Sequence, residues 1–331
     1  MSYIAVIGAG SWGTTLAKLL GDKDYDTSLW VYEQDLAEEI KRTRVNSAYM
    51  PEVTLPDSVN VSSSLADVLE NARYIISVIP VRHTRAVFKN ALPHIPGEAI
   101  IMSASKGIEQ GSNLTVSAIL KEMTSKTISV LSGPSFAKEV ACKLPTAVTL
   151  ASEDYTAALL LQETFTTSYF RVYTHHDVLG VEIAGALKNV MAIAAGISDG
   201  LCLGYNSRAA LITRGLAEMT RLGVVIGAKE YTFSGLSGLG DLVLTCTGPL
   251  SRNYTVGLNL GRGMKIKDIV SATRSIAEGV DTAKSAHDLA RKHNIEMPII
   301  EQVYSVIYED KNPREAVHDL MNRTLKSEFY G

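Results

Sequence analysis

Cysteine is scarce in this chain of 331 residues, and the three present, Cys142, Cys202 and Cys246, are far apart and odd in number. No CxxC pair and no zinc-ligand spacing occurs, so reduced thiols and a cytoplasmic chain are expected rather than a disulfide framework. The seven histidines include no HExxH, and the adjacent pair His175-His176 would point apart on a helix, so no metal is expected. An excess of charge of one sign is also missing. Lys and Arg number 32 against 35 Asp and Glu, the net charge is -3 and the pI about 6.2. That balance removes the general case for nucleic acid or an anionic membrane as partner. There is no internal repeat, no low-complexity segment and no long polar tract, which leaves little support for a scaffold. The strand pattern begins almost at the first residue, without a basic leader or cleavage site.

What the chain does have is apolar residues, 46% of the total, enough for one large domain or two ordinary ones. They are densest from Asp177 to Gly200, where Val181, Ile183, Leu187, Val190, Met191, Ile193 and Ile197 occupy all sides of a helical wheel. A helix apolar all round is buried. It is about as long as a membrane span, but Glu182, Lys188 and Asn189 interrupt it, and charge near the centre of a span is costly. No integral membrane segment is therefore expected, and the stretch reads as a central core helix with Asp177 as its N-cap. Lys188 has two readings: a functional ammonium, or a stem that snorkels to the surface.

The first half reads as α/β. Tyr3 to Ile7 is a short apolar run, typical of a strand buried on both faces of a parallel sheet. Gly8-Ala9-Gly10-Ser11-Trp12-Gly13 follows at once and leads into an apolar helix ending at Gly21. Strand, GxGxxG and helix in that order is the dinucleotide-binding fingerprint, in which Gly8 makes the tight turn, Gly10 lets the backbone approach a pyrophosphate and Gly13 lets helix and strand pack closely. A second strand, Ser28 to Tyr32, is followed by Glu33. An acid there can accept from ribose hydroxyls and repel a 2′-phosphate, favouring NAD over NADP; it also reads as a solvated residue opening a helix. Further strands are expected at Val59 to Val61, Tyr74 to Ile79, Glu98 to Met102, Thr127 to Leu131, Ala147 to Ala151 and Tyr169 to Tyr173. Lys106 then lies at a carboxyl strand end, where open α/β sheets bind ligands, and Gly133 to Ser135 forms a second candidate anion turn.

After the central helix the strand signals stop, and helices are expected at Ser207 to Leu222, Ser285 to His293, Ile299 to Glu309 and Pro313 to Met321. The layout is an N-terminal Rossmann-like dinucleotide-binding domain over residues 1–179 and an all-α domain over 180–331. A dehydrogenase of this kind needs a group to move a proton at the carbonyl oxygen. Lys188 suits that role, because desolvation lowers a lysine pKa towards neutrality. Asp241 could orient the ammonium, or cap a helix; Thr245 and Asn189 could add hydrogen bonds. Ser251, Arg252 and Asn253 offer a guanidinium fork and two polar groups at a helix start, which with Lys106 suit a small phosphorylated substrate, although Arg252 alone also reads as a surface residue.

The motifs GAGSWGTTLA at the start, SASKG at Lys106, SGPSFAKEV from Ser132, EIAGALKNV around Lys188, GLGDLVLTC around Asp241, SRN at 251–253 and AEGV from Ala277 occur in one order along the chain. In that combination the sequence resembles the bacterial NAD(P)-dependent sn-glycerol-3-phosphate dehydrogenases. The resemblance implies reversible reduction of dihydroxyacetone phosphate to sn-glycerol 3-phosphate, supply of glycerophospholipid synthesis, and a homodimer. It makes Lys188 the proton donor and acceptor. It assigns Lys106, Gly133, Ser135, Asp241, Ser251, Arg252 and Asn253 to the substrate, and Ser11, Trp12, Tyr32, Glu33, Lys106, Ala137, Arg252, Ile276 and Glu278 to the cofactor. Where the family often carries a basic residue at the 32–33 position, this chain has Tyr32 and Glu33, which agrees with a lean towards NAD. Two other readings fit the layout: a β-hydroxyacid dehydrogenase, whose substrates carry a carboxylate, and a dinucleotide-binding sensor without turnover.

Overall fold

The computed structural model describes residues 3–271 and 277–328. Its first half is built on an eight-stranded sheet. The members, with ranges in chain order, are β1 (Ile4–Ile7), β2 (Thr27–Trp30), β5 (Val59–Ser62), β6 (Tyr74–Ser77), β7 (Ile100–Ser103), β8 (Ile128–Ser132), β9 (Thr146–Ser152) and β10 (Phe170–His175), and a separate hairpin holds β3 (Val45–Asn46) and β4 (Met50–Thr54). The spatial order is β10-β9-β8-β7-β6-β1-β2-β5. All four residues of β1 are buried, as its unbroken apolar run anticipates. Ile4 and Val6 face a core shared with Leu16 and Phe165, while Ala5 and Ile7 face one shared with Phe88 and Ile119. Side chains that alternate across a strand thus seed two cores, one on each face of the sheet.

The sheet is not wholly parallel: β8 and β9 run antiparallel, whereas β9 and β10 return to parallel pairing. The connection from β8 to β9 holds only the five-residue helix Ala137–Ala141. A helix that short rises about 7.5 Å, less than half of the roughly 16 Å spanned by a five-residue strand. The β9–β10 connection holds the 11-residue helix Tyr155–Phe165, capped by Asp154, and there a crossover is made.

Beyond β10, the described residues hold helices only. The central helix Val178–Gly200 spans 23 residues, and 94% of its most apolar window is buried inside the protein, so it is the axle of a helical unit. Asp177 caps it as expected: one carboxylate oxygen accepts from the Gly180 N–H at 2.9 Å, and the other accepts from the Lys229 N–H at 2.8 Å and the Thr232 hydroxyl at 2.6 Å. Helices Gly204–Val225, Asp241–Thr247, Arg252–Gly261, Glu278–Lys292 and Pro298–Tyr308 pack around it. Two of them run beyond their expected spans, starting at Gly204 rather than Ser207 and at Glu278 rather than Ser285.

Two contacts fix the central helix in place, one through a polar residue and one through glycines. Glu182 reaches back to the sheet unit, where its carboxylate accepts from the Ser117 N–H at 2.8 Å in the first turn of helix Val116–Met123. Burial raises this carboxyl's pKa, and the bonds from Ser117 oppose the rise. The second contact is a seam of glycines against helix Arg252–Gly261. A Cβ on Gly257 would lie 2.0 Å from the Ile193 carbonyl oxygen, one on Gly196 2.1 Å from that of Tyr254, and one on Gly261 2.5 Å from that of Ile197. The two backbones touch, and no side chain fits between them. Gly257→Ala is expected to lower the unfolding free energy by about 3 kcal/mol, the upper end of an overpacking cost; urea unfolding curves check it, and an unchanged midpoint would mean that the seam can open freely.

Candidate active site

The carboxyl ends of β1, β7 and β8 lie along one edge of the sheet, and the turns singled out in the sequence follow them. At the first, Gly8 has φ +113° and a Cβ there would lie 3.1 Å from the Val78 carbonyl carbon, beside the end of β6. A Cβ on Gly13 would be 1.8 Å from the Gly8 carbonyl oxygen, whereas one on Gly10 would meet nothing within 4 Å. Helix Ser11–Gly21 has no side-chain cap and no acidic residue in its first turn. Uncapped N–H groups, the positive dipole end and an open approach at Gly10 fit an anionic pyrophosphate. The turn therefore suits the dinucleotide that its spacing suggests.

Of the other residues expected at the cofactor, Ser11 and Trp12 open the helix that follows this turn. Ser11 donates to the Tyr49 carbonyl at 3.1 Å, and Trp12 packs on Phe170 with ring centroids 6.4 Å apart. The Trp12 Nε1 is buried with no partner among the described residues. Thr15 donates to the Ala137 carbonyl at 3.1 Å, tying the glycine helix to the turn after β8. Tyr32 is 77% exposed and meets Trp30 edge-on at 6.0 Å. Glu33 is exposed at the start of helix Gln34–Thr43 and makes no capping bond, and its carboxylate has no hydrogen-bond or ion-pair partner among the described residues. Ile276 lies outside the described residues. Glu278 begins helix Glu278–Lys292, close enough to Gly107 that a Cβ there would meet its carboxylate at 2.8 Å. Burial and Asp281 push the Glu278 carboxyl up to about 7, against the pull of Arg252 and Arg82.

The helical unit brings its own polar groups to the same edge. Gly185 lets the central helix settle on the end of β8, since a Cβ there would be 2.6 Å from the Ser132 Oγ. One turn on, Lys188 points at helix Asp241–Thr247 and is 7% exposed. Its Nζ is 3.0 Å from Asp241 Oδ1 and 2.8 Å from the Thr245 Oγ1. Asp241 and Thr245 are four residues apart and so share one helix face. Lys106 approaches from the sheet, with its Nζ 2.6 Å from Asp241 Oδ2 and 2.8 Å from the Gly133 carbonyl. Ser135 donates to that same carbonyl at 3.0 Å.

The electrostatics of this cluster are lopsided. Burial lowers the Lys188 pKa most; Asp241 pulls it back up and Lys106 presses it down, leaving it at about 8. Burial would raise the Asp241 carboxyl, but Lys106 and Lys188 outweigh burial and hold it below its ordinary value. The result is a fixed carboxylate that orients two cations, one of which can exchange a proton near neutrality.

The SRN residues are placed differently from one another. The buried Ser251 accepts from the Tyr254 N–H at 3.2 Å, capping helix Arg252–Gly261. Asn253 donates to the Asn189 Oδ1 at 2.9 Å and accepts from the Gly279 N–H at 2.9 Å, while Asn189 donates to the Lys106 carbonyl at 3.1 Å. These amides form a continuous chain from the Lys106 turn to the start of helix Glu278–Lys292. Arg252 is exposed and has no ion-pair partner within 4 Å among the described residues, although Glu278 acts on it through space. Sequence reasoning missed the hairpin of β3 and β4 and its buried Asn46, which bonds the glycine turn. No local pattern marked it, because a two-residue strand beside a proline reads as loop.

A glycine turn at the switch point of a Rossmann-like sheet, followed by a helical unit that buries a lysine, is the layout of one class: a two-domain nicotinamide-dinucleotide dehydrogenase. Within that class the chain belongs to the NAD-dependent glycerol-3-phosphate dehydrogenase family. The family's N-terminal model matches residues 3–158 and its C-terminal model residues 177–318. The chain is 54% identical to glycerol-3-phosphate dehydrogenase [NAD(P)+] of Syntrophotalea carbinolica over 330 residues, covering 98% of this chain and 99% of the relative. Its fold matches the crystal structure of glycerol-3-phosphate dehydrogenase from Coxiella burnetii with a TM-score of 0.94 at 44% identity, covering 97% of this chain and 99% of that one. The yeast enzyme from Saccharomyces cerevisiae matches with a TM-score of 0.83 at 28% identity, covering 97% and 99%.

Asp241→Asn leaves two ammonium groups facing a neutral amide in a buried site. Loss of the shared partner is expected to cost about 3 kcal/mol of stability, read from chemical denaturation. The Lys188 titration should also move below about 8, because Asp241 is what holds it up. A titration that stays in place would show that Asp241 does not control that lysine.

Proposed function

We propose that the chain catalyses the reversible NAD(P)-dependent reduction of dihydroxyacetone phosphate to sn-glycerol 3-phosphate. The observation that carries this reading is the Lys188–Asp241–Lys106 cluster at the sheet edge that also holds the glycine turn. Membership of the family supports the substrate. The division of labour follows the chain: residues 1–179 hold the dinucleotide, with Gly8, Gly10, Ser11, Trp12 and Gly13 at the pyrophosphate, and residues 180–331 carry Lys188, Asp241 and Arg252 to the substrate. Supply of glycerophospholipid synthesis in the cytoplasm, by a homodimer, goes with this reading.

A nicotinamide dinucleotide held at the Gly8–Gly13 turn would supply the hydride for the carbonyl carbon. Negative charge then grows on the carbonyl oxygen, and Lys188 gives it a proton. Thr245 and Asp241 keep the Lys188 ammonium aimed while its pKa lies close enough to neutrality for the proton to leave. Lys106, on the other side of Asp241, adds positive charge where the oxyanion develops. Arg252, at a helix start and without an ion pair among the described residues, offers a planar fork for the substrate phosphate. Its electrostatic coupling to Glu278, a residue of the proposed cofactor site, supports a phosphate near the dinucleotide.

Reduction requires protonated Lys188, so kcat/KM for dihydroxyacetone phosphate should fall as pH rises through about 8, and glycerol 3-phosphate oxidation should rise over the same interval. Lys188→Ala is expected to lower kcat by about 10² or more and to erase that limb, followed by NADH consumption. Full activity in the variant would remove Lys188 as the acid; turnover of 3-hydroxy acids in place of the phosphate would favour a β-hydroxyacid dehydrogenase.

Glu33 supports preference for NAD, since a free carboxylate past β2 can accept from ribose hydroxyls and repels a 2′-phosphate. The wild type should use NADH better than NADPH, and Glu33→Arg should shift the ratio of the two kcat/KM values towards NADPH by about tenfold. A ratio that does not move with this substitution would take Glu33 out of the coenzyme site.

A further inference from the structure

The hairpin of β3 and β4 is an insertion between the helix after β2 and strand β5, and it lies outside the main sheet. It is nevertheless pinned to the glycine turn. Asn46 is fully buried, and its amide nitrogen donates to the Ala9 carbonyl at 2.8 Å and to the Thr14 Oγ1 at 2.8 Å. Its amide oxygen accepts from the Tyr49 N–H at 3.3 Å. Thr14 also donates to the Ala9 carbonyl, at 3.4 Å, and Ser11 donates to the Tyr49 carbonyl. Every polar atom of the Asn46 side chain is therefore engaged, and both of its N–H groups are directed at the turn. The outer end of the hairpin is tied down separately, by Glu52 and Lys138 at 3.0 Å.

The geometry of a trans peptide gives these bonds a consequence. The carbonyl of Ala9 and the N–H of Gly10 belong to the same planar unit and point in opposite directions. Drawing the Ala9 oxygen inward onto Asn46 turns the Gly10 N–H outward. Among the described residues that N–H donates to no protein group, and it sits where a Cβ on Gly10 would meet nothing within 4 Å. Without Asn46, the Ala9–Gly10 peptide would keep only the long bond from Thr14, and its flip would cost little because glycine tolerates both orientations.

We propose that Asn46 is a positioning residue for the cofactor phosphates: it holds the Ala9–Gly10 peptide in the one orientation that presents the Gly10 N–H to the pyrophosphate. The inference rests on the reading of the glycine turn as a dinucleotide site. It assigns to the hairpin a role in cofactor affinity, distinct from proton transfer at Lys188.

The test compares two ligands that differ in the phosphates, ADP and adenosine, titrated calorimetrically into the full chain. Asn46→Ala is expected to weaken ADP by about tenfold or more, the size of a charge-assisted hydrogen bond, and to change adenosine less than about twofold. In turnover, KM for NADH should rise while kcat at saturating NADH and KM for dihydroxyacetone phosphate hold. If Asn46→Ala does not fold, Thr14→Val removes the second acceptor of Asn46 in an isosteric side chain and should weaken ADP by about threefold, again sparing adenosine. Equal weakening of both ligands, or unchanged ADP affinity, overturns the assignment of Asn46 while leaving the dinucleotide site intact. A wild-type chain that binds neither ligand overturns the dinucleotide reading and this inference with it.

Discussion

A single carboxylate, that of Asp241, holds the site together. It is buried, it lies between Lys188 from the central helix and Lys106 from the sheet edge, and each of its oxygens serves one cation. Neither lysine would rest in that environment alone. The arrangement acts on stability in opposite directions at the two ends of the pH scale. Lys188, with a folded-state pKa near 8, below the ordinary lysine value, destabilises the fold at lower pH and ceases to do so as pH rises through 8 and beyond. Asp241, depressed below its ordinary value, contributes stability above the usual carboxylate range and loses it as pH falls through its lowered pKa. The helical unit thus accepts a cost at its centre and recovers part of it across the boundary with the sheet.

That boundary is polar at several points, and each pairs a donor on one side with an acceptor on the other. Glu182 caps a helix of the sheet unit, and Asn189 holds the Lys106 carbonyl. Asn253 extends the connection to Gly279. Lys106 is fixed at both ends by these contacts, at its carbonyl by Asn189 and at its ammonium by Asp241. A long flexible side chain becomes a rigid one, as a preorganised site requires.

Much of this was legible in the sequence, for identifiable reasons. The glycine turn, the buried strands and the central helix have strong local signatures, because φ above zero, unbroken apolar runs and apolar residues on every face of a wheel each admit few explanations. Lys188 stood out because a charge inside such a helix needs a cause. What escaped was non-local. The antiparallel step from β8 to β9 follows from the length of one connecting helix, and the strands themselves carry no mark of direction. The early start of helix Glu278–Lys292 depends on Gly279 docking against Asn253 and Asn189. Asn46 sits in a segment whose propensities say loop, and its importance comes from two partners more than 30 residues earlier in the chain. Ser251 also bonds the protein's own backbone, and Asn253 bonds Asn189 and the Gly279 N–H, partners distant in sequence that no local spacing marks.

The glycine seam between the central helix and helix Arg252–Gly261 has a mechanical meaning. Packed helices ordinarily accommodate motion by sliding over a layer of side chains that change rotamer. Here there is no such layer, since the backbones meet at Gly196, Gly257 and Gly261. The two helices form a single stiff beam, with Lys188 mounted on one flange and Arg252 at the end of the other. The separation of the backbones carrying Lys188 and Arg252 is set by direct backbone contact rather than by interlocking side chains. With no rotamer layer at the seam, the reach of those two side chains is adjusted by their own torsions rather than by sliding of the helices.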